Sequence, residues 1–341
     1  MDVKELLELT AFQKTRVILT AVELDLFPLL NEPHSADEVV RKRNLDLRAA
    51  TRLLNVLTAL GMLELVDGRY VTSSSLRKEL GEGPESMIGL LKHRARLWKV
   101  WSSLSDIVRT GKTHYELKEP DFDYREHIQT FTRAMSVGGR IQAGETIDKL
   151  DLTGVDRVLD IGGGPGIFAA EFAEALPHAE IYVLDRPGVR NVAGEYIGDL
   201  LDSGRVKYID GDVLEVTDEE VIGKDRSRRH DIAFMSNFIH AISPEEVREV
   251  IGRCVRWCRP GGRIVFKDFF VDDTRTKPAR AALFSINMLV GTPGGDAYSW
   301  TEMETWLREA KHPAEKSAVT DINRLVMSDG NTGIIIARTK E

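Results

Sequence analysis

Apolar residues recur at helical spacing over residues 1–33, where Leu6, Leu7, Phe12, Val17, Ile18, Val22, Leu26 and Leu29 mark a stripe. Ser35-Ala36-Asp37-Glu38 follows, a hydroxyl and a carboxylate three positions apart that can cap each other's free amides and start a second helix. A third helix is predicted from about Leu47 to Leu60, stopped by Gly61 in a left-handed cap. Met62-Leu63-Glu64-Leu65 and Arg69-Tyr70-Val71-Thr72 flank Asp67-Gly68 and predict two short strands joined by a tight turn. Three helices and a β-hairpin spell a winged helix. The helix in the reading position, Arg48 to Leu60, is mostly apolar and small, whereas a reader of the major groove needs Arg, Lys, Asn or Gln towards base edges. Its composition favours packing or dimerisation over DNA binding.

Residues 84–145 read as helical, with Trp98 and Trp101 in an amphipathic segment ending at Gly111 and a loop at Pro120-Asp121-Phe122-Asp123. A further helix carries Phe131 and Met135 and is expected to loosen at Gly138-Gly139. After about residue 150 the pattern changes to short buried runs. Arg157–Ile161, Ile181–Asp185, Val206–Ile209, Asp231–Met235, Arg263–Asp268 and Gly333–Arg338 read as strands, with helices between most of them, and predict a doubly wound α/β sheet. The charged run from Asp218 to His230 reads as a surface insertion.

Composition narrows the class. A chain of 341 residues suits two domains, and 42% apolar with 29% charged residues excludes a disordered protein. A net charge of −8 argues against a nucleic-acid partner. No run reaches the ~18 apolar residues of a membrane helix, and the acidic start Met1-Asp2-Val3-Lys4-Glu5 does not read as a signal peptide. Cys254 and Cys258 are the only cysteines, too few for a disulfide framework or a four-cysteine zinc site, so core packing and a reducing cytoplasm are expected.

The strongest chemical signal is Asp160-Ile-Gly-Gly-Gly-Pro-Gly166 between a strand and a helix, where glycines let a ligand approach the backbone and the helix offers free N–H groups. Gly164-Pro165-Gly166-Ile167-Phe168-Ala169 also satisfies a loose dinucleotide fingerprint, and Asp185 stands at the spacing of a ribose-binding acid, so NAD and S-adenosylmethionine both fit so far. Three features favour S-adenosylmethionine. Asp160 puts a carboxylate where an amino-acid moiety, but no pyrophosphate, would want one. Gly211-Asp212-Val213 ends the third strand with an acid able to meet an adenine amino group. Arg259-Pro260-Gly261-Gly262 turns into the fifth strand. An NAD oxidoreductase remains the rival enzyme.

Over almost its whole length the chain resembles the small-molecule O-methyltransferases that include plant caffeic acid and flavonoid enzymes and their bacterial relatives. The residues that carry the resemblance are the Asp160–Gly166 loop, Asp185-Arg186-Pro187-Gly188-Val189, Asp212-Val213, Phe131-Thr132-Arg133-Ala134-Met135, and His240 shortly after the fourth strand. It implies a winged-helix dimerisation domain over 1–100, a helical linker contributing to the active site over 101–145, and a Rossmann-like methyltransferase domain over 146–341. It also implies a cytoplasmic homodimer with no metal, no nucleic acid and no membrane, converting S-adenosylmethionine to S-adenosylhomocysteine on a small-molecule acceptor, a hydroxyl compound, aromatic ones included. The cofactor residues it implies are Asp160, Gly162, Gly164, Asp185, Asp212, Val213 and Ser236. His240 becomes the general base and Asp268 its carboxylate. The acceptor falls against Phe131, Met135, Phe284, Asn287 and Met288, although Phe284 and Met288, at helical spacing, read equally as core. The chain departs from the family at three places. Ala297 replaces a second acid, Ala241-Ile242 replaces Asp-Trp after the histidine, and Ser236 replaces a cofactor-contacting lysine. The accepting atom therefore stays open among O, N, S and C, and a cofactor-sensing DNA-binding regulator is the alternative from another class.

Overall fold

Capping chemistry sets the early helices. Ser35 Oγ accepts the Glu38 N–H at 3.3 Å while the Glu38 carboxylate accepts the Ser35 N–H at 2.8 Å, and α4 (Ala36–Arg43) follows. Before it stand α1 (Val3–Leu9), α2 (Gln13–Glu23) and α3 (Leu26–Leu29). After it come α5 (Leu47–Ala59), β1 (Leu63–Val66), β2 (Arg69–Thr72), α6 (Arg77–Leu80) and α7 (Ile88–Trp101). β1 and β2 pair antiparallel around Asp67 and Gly68, whose φ of 49° and 75° are those of the turn that matches strand twist. This computed structural model describes residues 2–81, 83, 86–117, 124–224, 226–310 and 318–340. The chain divides into two units, Met1–Lys99 and Val100–Glu341.

In the first unit Val22, Leu26, Phe27, Leu30, Val39, Leu54, Leu57 and Leu63 form the core. The apolar stripe of residues 1–33 splits. In its later half Val22 and Leu26 are buried and Val17, Ile18 and Leu29 partly so, but Leu6, Leu7 and Phe12 are more than half exposed and α1 buries no residue.

The second unit begins with α8 (Leu104–Thr110), closed by Gly111 in the left-handed region, then α9 (His114–Leu117) and the long α10 (Tyr124–Asp148). The expected loop at 120–123 lies outside the described residues. Gly138 and Gly139 do not loosen α10. They sit inside it, and a Cβ on Gly139 would come 3.2 Å from Ile167, so the glycine lets two helices approach. The sheet follows, as β3 (Arg157–Ile161), α11 (Ile167–Ala175), β4 (Glu180–Asp185), α12 (Val189–Asp202), β5 (Val206–Asp210), α13 (Asp218–Ile222) and β6 (His230–Ser236). A short 3-10 turn, Ile239–Ala241, leads to α14 (Pro244–Trp257), β7 (Cys258–Asp268), α15 (Ala279–Gly291), α16 (Trp300–Glu309), β8 (Val319–Val326) and β9 (Gly333–Thr339).

The strand order is β5-β4-β3-β6-β7-β9-β8, with the first five parallel, β9 antiparallel to β7, and β8 antiparallel to β9. Chain connection reverses between β3 and β6, and loops leaving their carboxyl ends diverge there into a crevice suited to ligands. The run from Asp218 to His230 is less superficial than its charge suggested. Thr217 caps α13, whose Val221 and Ile222 are buried, and His230 is wholly buried at the start of β6. β8 was not foreseen, because Thr320, Asp321, Asn323 and Arg324 on an edge strand with a register shift erase the two-residue period. Cys254 and Cys258 are free and buried, and burial pushes both thiols up, Cys258 to about 12, which makes them inert.

Candidate functional site

β3 is buried along most of its length and carries Asp160 to the crevice. This carboxyl is 1% exposed, and its Oδ2 has no hydrogen-bond partner among the described residues. Burial, and then the neighbouring charge of Asp185, push it up to about 8. The chain next turns through Gly162 at φ 68°, where a Cβ would come 2.5 Å from the Phe238 ring. Gly164, at φ 55°, donates its N–H to Asp185 Oδ2 at 2.8 Å, and a Cβ there would meet nothing within 4 Å. The Gly164 carbonyl accepts the Tyr208 hydroxyl at 2.5 Å. Asp185 also accepts the Arg186 N–H at 2.7 Å on Oδ1. Burial outweighs those two donors and holds its carboxyl above the ordinary value. The result is an open glycine edge beside two acids, one of them lacking a donor. Such a place suits a ligand bearing a cationic amine and hydroxyl groups.

Asp212 lies just beyond β5 and turns its own chain, Oδ1 accepting the Leu214 N–H at 2.9 Å. Val213 is buried in the apolar layer, so its side chain is spent on packing. Ser236 ends β6, and its Oγ accepts the Asn237 amide at 3.3 Å.

Across the crevice, the 3-10 turn presents His240. Its Nδ1 lies 2.7 Å from Asp268 Oδ1, with the histidine side chain 13% exposed and the aspartate 2%. The same Oδ1 accepts the Phe269 N–H at 2.8 Å. An oxygen already accepting one donor fixes Nδ1 as the protonated nitrogen, leaving the Nε2 lone pair free. Asp268 Oδ2 is buried without a hydrogen-bond partner among the described residues. Phe284 of α15 stands edge-on to the imidazole, centroids 4.7 Å apart, and stacks on Phe269 at 4.2 Å. Ala297 is wholly buried with Val271 and Ala281, and Asp296 turns away to pair with Arg275 at 2.7 Å. One carboxylate alone therefore faces the imidazole from these two elements.

The structure brings Asp268 and Phe284 each into contact with His240. Asn287, one turn along α15, accepts the Trp101 indole N–H at 3.0 Å, while Met288 is buried. Phe131 and Met135 stand on α10, the first exposed and the second half-buried, and Arg133 between them pairs with Glu195 of α12. Three features escaped the sequence. They are Phe238 over the glycine loop, Tyr208 on its carbonyl, and Lys267, a wholly buried lysine in β7. Burial pushes the Lys267 ammonium down to about 8 against the pull of Asp268, Asp329 and Glu145. Among the described residues no three His, Cys, Asp or Glu side chains gather as a metal would require, and no helix is long and apolar enough to cross a membrane.

Comparison with known proteins identifies the family. Residues 101–313 match the O-methyltransferase domain model and residues 7–76 the O-methyltransferase dimerisation domain model. The chain is 31% identical over 307 residues to the 3-hydroxy-5-methyl-1-naphthoate 3-O-methyltransferase of Streptomyces sahachiroi, covering 88% of this chain and 86% of that one. It is 31% identical over 229 residues to an N,N-dimethyltransferase of Streptomyces rimosus, covering 62% and 64%. Its fold matches that of human N-acetylserotonin methyltransferase in complex with SAM, with a TM-score of 0.80, 23% identity, and coverage of 100% and 99%. The chain belongs to the S-adenosylmethionine-dependent O-methyltransferase family.

Proposed function

We propose that the chain moves a methyl group from S-adenosylmethionine to a hydroxyl of a small aromatic acceptor, with His240 as general base and Asp268 orienting it. The observation that carries this reading is the 2.7 Å bond between His240 Nδ1 and Asp268 Oδ1. A phenol with pKa near ~10 is roughly 0.1% ionised at neutral pH, so most acceptor molecules still hold the proton that methylation must remove. A neutral imidazole with a free Nε2 can take that proton, a contribution of typically ~10²–10⁴ in rate. Asp268 keeps the tautomer in place and stabilises the imidazolium that forms. Phe284 and Phe269 give the acceptor ring an aromatic wall and exclude water from the imidazole. Phe131, Met135, Asn287 and Met288 are assigned to the rest of the acceptor's surroundings. The naphthoate hydroxyl named for the Streptomyces sahachiroi relative supports an aromatic acceptor.

When bound, S-adenosylmethionine supplies an electrophilic methyl group on a positively charged sulfur. The carboxyl of Asp160, whose Oδ2 has no donor among the described residues, fits its ammonium group, and Asp185 fits its ribose hydroxyls. Gly162 and Gly164 let it lie against the backbone. Asp212, the backbone of Val213, and Ser236 complete the assignment.

His240→Ala should lower turnover by ~10²-fold or more while S-adenosylhomocysteine affinity stays within about twofold. Ala297 in place of a second acid, together with the N,N-dimethyltransferase relative, favours an amine acceptor as the second reading. An amine already carries a lone pair, and under that reading His240→Ala would methylate as fast as wild type.

The exposed Leu7 and Phe12, in the segment matched by the dimerisation model, and Leu6 just before it support a homodimer. Light scattering should give about twice the chain mass, and Leu6→Glu with Leu7→Glu should halve it. A monomeric wild type that retards duplex DNA at physiological salt would overturn this part.

A further inference from the structure

Lys267 and Asp268 are neighbours on β7 and point to opposite faces of the sheet. Asp268 holds His240. Lys267, wholly buried, gives its Nζ protons to Asn237 Oδ1 at 3.1 Å and to Gln142 Oε1. The Lys267 carbonyl accepts the Asn237 N–H at 2.8 Å, so one residue grips Asn237 by both backbone and side chain.

Asn237 is the joint where the chain leaves β6. It sits at φ 52°, in the left-handed region that asparagine tolerates better than most residues with a Cβ. That joint aims two of the three residues after it. Phe238 is laid against Gly162 of the glycine loop, and His240 is turned onto Asp268. Gln142, the other partner of Lys267, is on α10 two turns beyond Met135, and its amide donates onward to Asp329 at 3.1 Å.

We infer that Lys267 is a positioning residue for methyl transfer, clamping Asn237 so that a single left-handed joint sets Phe238 on the cofactor loop and His240 on its carboxylate. The inference rests on His240 being the base, and it adds a coupling. Loss of the clamp should disturb both sides of the crevice, whereas loss of His240 disturbs one.

The test uses the full chain with three variants, each assayed for turnover, S-adenosylhomocysteine affinity by calorimetry, and amide hydrogen exchange over residues 236–241. Lys267→Met fills the space but leaves two half-buried acceptors, Asn237 Oδ1 and Gln142 Oε1, without their lysine donor. Asn237→Gly accepts the left-handed backbone but offers no side-chain acceptor. Asn237→Asp keeps an acceptor at the same point. The first two should lower turnover about tenfold or more, weaken S-adenosylhomocysteine several-fold and speed exchange over 236–241, because an unpaired buried group costs about a factor of ten. Asn237→Asp should restore turnover to within about threefold of wild type.

Lys267→Met and Asn237→Gly with wild-type turnover, affinity and exchange, whatever their melting temperatures, would reduce the lysine to a structural role and overturn the inference. If Lys267→Met does not fold, the contrast between Asn237→Gly and Asn237→Asp decides alone. Exchange and affinity need no acceptor, so an active His240→Ala enzyme would sink the assignment of the base and leave these readouts to judge the clamp.

Discussion

Two aspartates face the same crevice from strands separated by β6, and the fold treats them oppositely. Asp160, at the cofactor edge, is buried beside Asp185 with no hydrogen bond to Oδ2, and it holds its proton up to about 8. Asp268, at the acceptor edge, is as deeply buried but receives the Phe269 N–H and the His240 imidazole on one oxygen. A buried carboxylate with internal donors is ready before any ligand arrives, whereas one without them is stabilised as an anion when a ligand brings the donor. On the proposed assignment, the difference separates a preassembled base and its carboxylate from a binding group that is completed by its cargo.

Exchanging each carboxylate for its amide is the sharpest way to break the comparison. Asp268→Asn should cost ~10²-fold or more in kcat by upsetting the imidazole tautomer, with S-adenosylhomocysteine affinity nearly unchanged. Asp160→Asn should do the reverse, weakening S-adenosylhomocysteine by about 10–100-fold, since a hydrogen bond to a charged group contributes roughly 1.5–3 kcal/mol, while kcat at saturation falls much less. Equal losses in both parameters for both variants would erase the distinction.

A smaller effect follows from the proton on Asp160. Its folded value lies above that of the unfolded chain, so the folded form binds more protons between the ordinary carboxylate range and about pH 8. Stability of the ligand-free protein should therefore fall as pH rises through that window and flatten above it. S-adenosylhomocysteine should bind more tightly as pH rises towards 8 and release a proton, visible as a calorimetric heat that depends on the buffer. A binding heat independent of buffer would show that Asp160 is already ionised.

The same contrast separates what was legible in the sequence from what was not. The Asp160–Gly166 loop could be read because its chemistry is local, seven residues between a strand and a helix. The pairing of His240 with Asp268, 28 residues apart, followed only from family resemblance, since no periodicity predicts which strand end meets which loop. Val213 shows the limit on the cofactor side, where the motif placed the residue correctly beyond β5 but not its side chain, which packs inward. On the acceptor side Asn287 is held by Trp101, a contact across 186 residues that neither segment announces. Lys267 was invisible as well. A lysine in an alternating strand reads as solvent-facing, and only the helix covering that face makes it interior.

The antiparallel edge of the sheet bears on synthesis. β9 is the last strand in chain order, yet it lies between β7 and β8 and pairs Gly333 with Asp268 and Ile334 with Lys267. While the ribosome is still extending the chain, β7 has an open edge, and β8 has no neighbour to dock on until β9 emerges. β7 is thus sealed only after Gly333–Thr339 has been made. A nascent chain stalled before Gly333 would carry every residue assigned to the cofactor and the base, together with an unpaired strand that invites association with other chains.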